Sequence, residues 1–127
     1  MANTQHYACT VTVETTFLAD QSDVENNRYA FAYFVKITNI GTVAVQLISR
    51  HWRITDANNE LQEVKGLGVV GAQPLIKPNE SYEYNSGTIL GTPTGHMHGS
   101  YQMVAEDGTA FEAIIEAFQL NMPRVLH

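Results

Sequence analysis

Tyr29-Ala30-Phe31-Ala32-Tyr33-Phe34-Val35-Lys36-Ile37 is the stretch that decides the fold. Tyr29, Phe31, Tyr33, Val35 and Ile37 recur at every second position, a period that places them on one face of an extended chain and on no single face of a helix. These aromatic and β-branched side chains suit a pleated, half-buried surface. The segment reads as a central strand with its odd-numbered residues towards a core. The opposite parity holds Ala30, Ala32 and Phe34, a less polar choice than a solvated sheet face usually makes. Two readings of that face are open. A neighbouring loop or the C-terminal tail around Phe118, Leu120 and Leu126 covers it, or it is an exposed patch centred on Phe34 that binds a protein partner or a second copy of the chain as a homodimer.

The same period recurs on either side. Tyr7, Cys9, Val11 and Val13 alternate with Ala8, Thr10, Thr12 and Glu14, which predicts a first strand between Tyr7 and Phe17. Asn39-Ile40-Gly41-Thr42 punctuates the central strand and predicts a hairpin. Beyond it the apolar parity runs through Val43, Val45 and Leu47, then shifts to Ile48, Trp52 and Ile54. One extra residue near Leu47 explains the shift, so a β-bulge is expected there. Asp56-Ala57-Asn58-Asn59 is a turn, and Ser81 to Asn85, Met97 to Ala105 and Thr109 to Ile115 are further short strands. Seven or so antiparallel strands without a capped helical period imply an all-β fold. The most economical form is an immunoglobulin-like or fibronectin type III-like β-sandwich, with a small barrel as the alternative. Trp52, the sole tryptophan, is expected to pack between the sheets.

Residues 1–127 contain no linker or repeat and make one domain, long enough to bury roughly two-thirds of the unfolded surface. Hydrophobic residues at 44% and charged residues at 16% argue against disorder. Seven Lys plus Arg against thirteen Asp plus Glu leave a net charge of -6 and no basic run, so nucleic acid is not an expected partner. No stretch reaches the roughly 20 apolar residues of a membrane span. Met1 to Tyr7 has neither the basic head nor the apolar segment of a secretory signal. Cys9 is the only cysteine, which rules out an internal disulfide and suits the cytoplasm.

Gly66-Leu67-Gly68-Val69-Val70-Gly71 matches the dinucleotide fingerprint G-x-G-x-x-G letter for letter. That fingerprint works only where a helix follows and points its N-terminus at a pyrophosphate. Here Pro74 and Pro78 follow closely, and each pushes the residue before it towards extended backbone. No helix and no dinucleotide binding are expected. The glycines read instead as an irregular edge segment that permits a bulge or close chain packing. The alternative reading is that Lys65 and the amides of Gly66, Gly68 and Gly71 hold a small anion such as pyrophosphate in a backbone nest.

His96-Met97-His98 places two imidazoles on one face of an extended segment, a partial divalent-metal site for which His51 or Glu106 could supply a third ligand. Ser49-Arg50-His51-Trp52 gathers a hydroxyl, a cation and an imidazole, yet it has no nucleophile-elbow context and no orienting carboxylate. Arg50 is expected to bind a carboxylate or carbonyl groups that hold neighbouring strands together. Cys9, on the apolar face of its strand, reads as a buried, inert thiol. No catalytic residue emerges, no cofactor is implied, and an enzyme is not expected.

Three ordered segments carry a resemblance to a known family. VQLISRHWRITD at 45–56, VKGLGVVGAQPLIKPNESYEYNSG at 64–87 and TPTGHMHGSYQM at 92–103 resemble the bacterial ApaG family. The likeness runs from the first strand to Phe118-Gln119-Leu120, and it implies a fibronectin type III-like sandwich without catalytic residues. The family is linked by name to cobalt and magnesium efflux. Similar domains in an F-box protein and a DNA polymerase-interacting protein look like protein-recognition modules. Two departures stand out: Asn59 replaces a usual glycine, and Glu116 a common proline. Asn tolerates positive φ, so the turn should survive, while the last strand should be straighter. The resemblance implies a cytoplasmic, non-catalytic interaction or regulatory module, indirectly tied to divalent-cation homeostasis through an unidentified protein partner. The alternative is a direct binder of a divalent metal or a small anion.

Overall fold

Alternation is translated directly into layers in the computed structural model, which describes residues 6–123. The strands are β1 (Cys9–Phe17), β2 (Tyr29–Asn39), β3 (Val45–Asp56), β4 (Leu61–Leu67), β5 (Leu75–Ile76), β6 (Ser81–Leu90), β7 (Thr94–Ala105) and β8 (Ala110–Asn121). Two single-turn 3₁₀ segments, Ala19–Gln21 and Val24–Asn26, join β1 to β2. One sheet has the order β1-β2-β6; the other has β4-β3-β7-β8, with β5 also paired to β3. Every pairing is antiparallel. The result is a sandwich of two sheets and not a closed barrel.

β2 is the middle strand of its sheet, and Tyr29, Phe31, Tyr33, Val35 and Ile37 are all buried against the second sheet. Trp52 faces them from β3 and is 2% exposed. Its ring meets Tyr33 at 5.4 Å, Phe118 at 5.9 Å and Tyr101 at 6.2 Å between centroids, each edge to face. Such tilted arrangements set the positive edge of one ring on the negative face of the next. The indole thus joins β2 of one layer to β7 and β8 of the other.

The expected bulge is present. The β3–β7 register slips between Leu47 and Ser49, leaving Ile48 as the extra residue. The expected hairpin after Asn39 is absent, because β2 and β3 belong to different sheets and the chain crosses over at residues 40–44. Asn39 explains the crossing. Its side chain is fully buried and donates to Val43 O at 2.8 Å and Ile76 O at 2.9 Å, and it accepts from the Gly41 amide at 2.9 Å. A residue that reads as a turn marker in sequence is a satisfied buried polar anchor. Asn59 has φ 63, so it takes the left-handed conformation expected of a glycine substitute. The last strand is not straight, however. Glu116 and Ala117 together oppose His98 where the β7–β8 register slips, so the irregularity is present without proline.

A hydroxyl pair unmarked by any sequence motif also ties the layers, Tyr84 of β6 bonding to Tyr101 of β7. Burial pushes both phenols above their ordinary value of 10.0. The folded chain therefore keeps protons that unfolded tyrosines release. This contribution to stability is intact below about pH 10 and is lost as pH rises further. Cys9 acts in the same sense, since burial pushes its thiol from 9.0 up to about 11. Denaturant midpoints should fall as pH is raised from 9 towards 11, and tyrosinate absorbance from Tyr84 and Tyr101 should appear only with unfolding. Ionisation of all six tyrosines near pH 10 in a chain that remains folded would contradict this assignment.

Candidate functional site

Phe34 lies at the centre of the outer face of the first sheet. In register it stands between Glu14 of β1 and Asn85 of β6, and the next row is Thr12, Lys36 and Glu83. These residues line an open concavity of about 520 Å³. Phe34 remains 44% exposed there.

The apolar face is divided by position. Ala30 is only 4% exposed, because the segment after β1 covers it. The Leu18 amide donates to Ala30 O, and the Ala30 amide donates to Ser22 Oγ, both at 2.8 Å. The C-terminal strand does not reach this face: Phe118 and Leu120 point into the sandwich on the opposite side. Leu126 lies outside the described residues. Cover by a loop therefore accounts for Ala30, and among the described residues nothing comparable covers Phe34, which stays 44% exposed.

The glycine-rich segment has a structural task that its spacing did not disclose. Ile48 O, at the β3 bulge, accepts from the Gly68 amide at 2.8 Å and from Gln73 Nε2 at 2.9 Å. Val69 and Ala72 exchange backbone bonds around Val70 and Gly71, whose φ values of 47 and 79 are both positive, as in a type I′ hairpin turn. Gly66 lies under the Arg50 guanidinium, where an added Cβ would stand 2.8 Å from Nη1. From that position Arg50 Nη1 donates to Leu67 O at 3.0 Å and Gly68 O at 2.9 Å. The loop thus offers carbonyls to a cation, and the amide of Gly68 is committed to Ile48. Lys65 pairs with His51 on the outer face and Gly71 lies at the turn tip, so Lys65, Gly66, Gly68 and Gly71 do not converge as one cradle. No helix follows Gly71; the chain continues into β5.

His96 and His98 share the outer face of the second sheet with near-parallel rings, 19° apart and 6.5 Å between centroids. Their register partners on β3 are Thr55 and Arg53. Among the described residues no three of His, Cys, Asp and Glu gather in a way that would hold a metal ion. Glu106 is beyond the far end of β7, and His51 pairs with Ser100. His51 Nε2 is buried without a hydrogen-bond partner among the described residues, 3.8 Å from Glu63 Oε1. Arg53 Nε donates to that carboxylate at 3.2 Å and holds its pKa below the usual value. Ser49 Oγ donates to Gln102 Oε1 at 2.7 Å and not to His51, so the Ser49 to His51 cluster is not assembled as nucleophile and base.

The ApaG domain model matches residues 19–105. Protein ApaG of Methylobacillus flagellatus is 61% identical over 127 residues, covering all of both chains. Protein ApaG of Thiobacillus denitrificans is also 61% identical over the same full length. The crystal structure of a Bordetella pertussis protein named ApaA superposes with a TM-score of 0.90 at 51% identity, covering 94% of this chain and 97% of that one. No helix among the described residues is long and apolar enough to cross a membrane. The motifs, the sandwich and these full-length likenesses agree: the chain belongs to the ApaG family.

Proposed function

We propose that this chain is a non-catalytic, cytoplasmic protein-interaction or regulatory module whose contact surface is the concavity around Phe34. The observation that carries the reading is an aromatic ring 44% exposed at the centre of a sheet face, ringed by Glu14, Lys36, Glu83 and Asn85. An apolar anchor inside a polar rim is the anatomy of a protein interface. The family's link by name to cobalt and magnesium efflux then works indirectly, through the partner. Phe34→Glu should abolish capture of a specific partner from host lysate while leaving the melting temperature nearly unchanged. Unchanged capture would remove Phe34 from the interface; loss of folding would place the ring in the core.

A second reading, direct binding of a divalent metal, draws on the shared face and parallel rings of His96 and His98. Calorimetry with cobalt, magnesium and pyrophosphate separates the two. Saturable heat with cobalt that disappears in His96→Ala would favour the metal reading. Saturable heat with pyrophosphate that Lys65→Ala removes would favour an anion.

A further inference from the structure

We infer that the open edge of β6 pairs with β6 of a second copy of this chain, antiparallel and centred on Asn85, joining two three-stranded sheets into one. The inference rests on backbone geometry and does not need the Phe34 ring, although this edge shares Glu83 and Asn85 with the rim around it.

The parity of the hydrogen bonds shows which groups are available. Leu18 N to Ala30 O at 2.8 Å and Ile40 N to Ala8 O at 3.0 Å direct the even-numbered residues of β2 towards β1. Asn39 N to Glu80 O at 3.0 Å directs the odd-numbered residues towards β6. The register continues without a slip from Thr38↔Ser81 to Tyr29↔Leu90. In an antiparallel ladder, residues of the bonded pairs alternate with residues whose amide and carbonyl point to the other side. Tyr82, Tyr84, Ser86 and Thr88 therefore bond to β2. Ser81, Glu83, Asn85, Gly87 and Ile89 present N–H and C=O along an edge to which no other strand is paired among the described residues.

Proteins ordinarily blunt such an edge with proline, lysine, a bulge or a cover. The other edges of this sandwich show those devices. β4 carries Glu63 and Lys65, and β1 and β8 lie against each other. β6 is ten residues long, with no proline, no lysine and no bulge, and Glu83 is its only charge.

Side chains favour a second copy as the occupant. Centred on Asn85, the self-pairing overlaps the whole exposed row: Asn85 meets Asn85, Glu83 meets Gly87 and Ser81 meets Ile89. The two asparagine amides can each donate and accept, and Glu83 lies beside a residue with no side chain. Moving the centre to Glu83 would oppose two carboxylates, which is destabilising, and moving it to Gly87 would shorten the ladder. A twofold contact of this kind is closed and self-limiting. Each copy carries a net charge of -6, so long-range repulsion works against the pairing. Salt should tighten it, the reverse of an interface built on ion pairs.

Sedimentation equilibrium on the full chain should show a concentration-dependent dimer that strengthens with salt. Amide exchange at Glu83, Asn85 and Gly87 should slow as protein concentration rises, with Tyr84 and Ser86 protected at every concentration. Asn85→Pro and Ile89→Pro should lose the dimer and keep their dilute-solution melting temperatures, because proline is tolerated where the missing amide faced outward. Phe34→Glu should still dimerise, which separates this edge from the partner face. A wild-type chain that stays monomeric in high salt at millimolar concentration would overturn the inference. So would concentration-independent exchange at those three amides, a test that needs no variant to fold, or a dimer that survives both prolines.

Discussion

Trp52→Ala should lower the free energy of unfolding by about 3 to 5 kcal/mol, the range for truncating a large buried aromatic side chain. The residue is 2% exposed, and its ring touches Tyr33, Tyr101 and Phe118 edge to face across both sheets. Removing it costs the transfer free energy of the indole and leaves a cavity whose rigid aromatic walls cannot collapse. Urea unfolding monitored by far-ultraviolet circular dichroism reads the effect without relying on the lost fluorophore. Trp52→Phe should recover part of the loss, since a ring remains to meet Tyr33. A change within about 0.5 kcal/mol, the usual size for an exposed position, would mean that Trp52 is not the inter-sheet anchor.

Gly68→Ala should cost roughly 2 to 5 kcal/mol, combining a left-handed backbone penalty with a steric clash. Gly71→Ala should cost only about 1 to 2 kcal/mol, the conformational penalty alone. Both glycines have positive φ, +64 and +79. Their surroundings differ. A Cβ on Gly68 would stand 2.3 Å from Ala72 O, whereas a Cβ on Gly71 would meet nothing within 4 Å. The alanine at 68 must also disturb the amide that bonds Ile48 O at the β3 bulge. Equal losses at the two sites would show that the close approach relaxes easily. The same segment should give no saturable calorimetric signal with NAD or ATP. Saturable binding abolished by Gly68→Val would mean that the motif serves nucleotide after all.

These two sites differ in how legible they are. Trp52 was readable because parity places it on the core face of a strand, and side-chain direction in a strand follows residue number. Gly68 was readable only as a position of close packing. Its close approach is to Ala72, four residues on, but the bonds that hold its backbone come from Ile48 and Arg50, both distant in sequence. Strand ends were less legible than strand centres. The fourth strand, Leu61–Leu67, has an exposed edge position and lacks a core face dense enough to show a period. Asn39 read as punctuation because a short amide is common in turns, and nothing local reveals that Val43 and Ile76 carbonyls await it.

Local chemistry by itself determined that the chain is all-β, that β2 has one core face, that β3 bulges near Leu47 and that no helix follows the glycines. Each follows from the two-residue period of an extended chain or from the backbone limits of proline, and both act within a few residues. Tertiary structure decided the rest. Long-range pairing placed β2 and β3 in different sheets, brought Tyr84 to Tyr101, set the Arg50 guanidinium over Gly66 and, among the described residues, left Phe34 44% exposed beside an edge of β6 to which no strand is paired. A side chain's parity specifies which way it points, but only the packed neighbours determine whether anything stands in front of it.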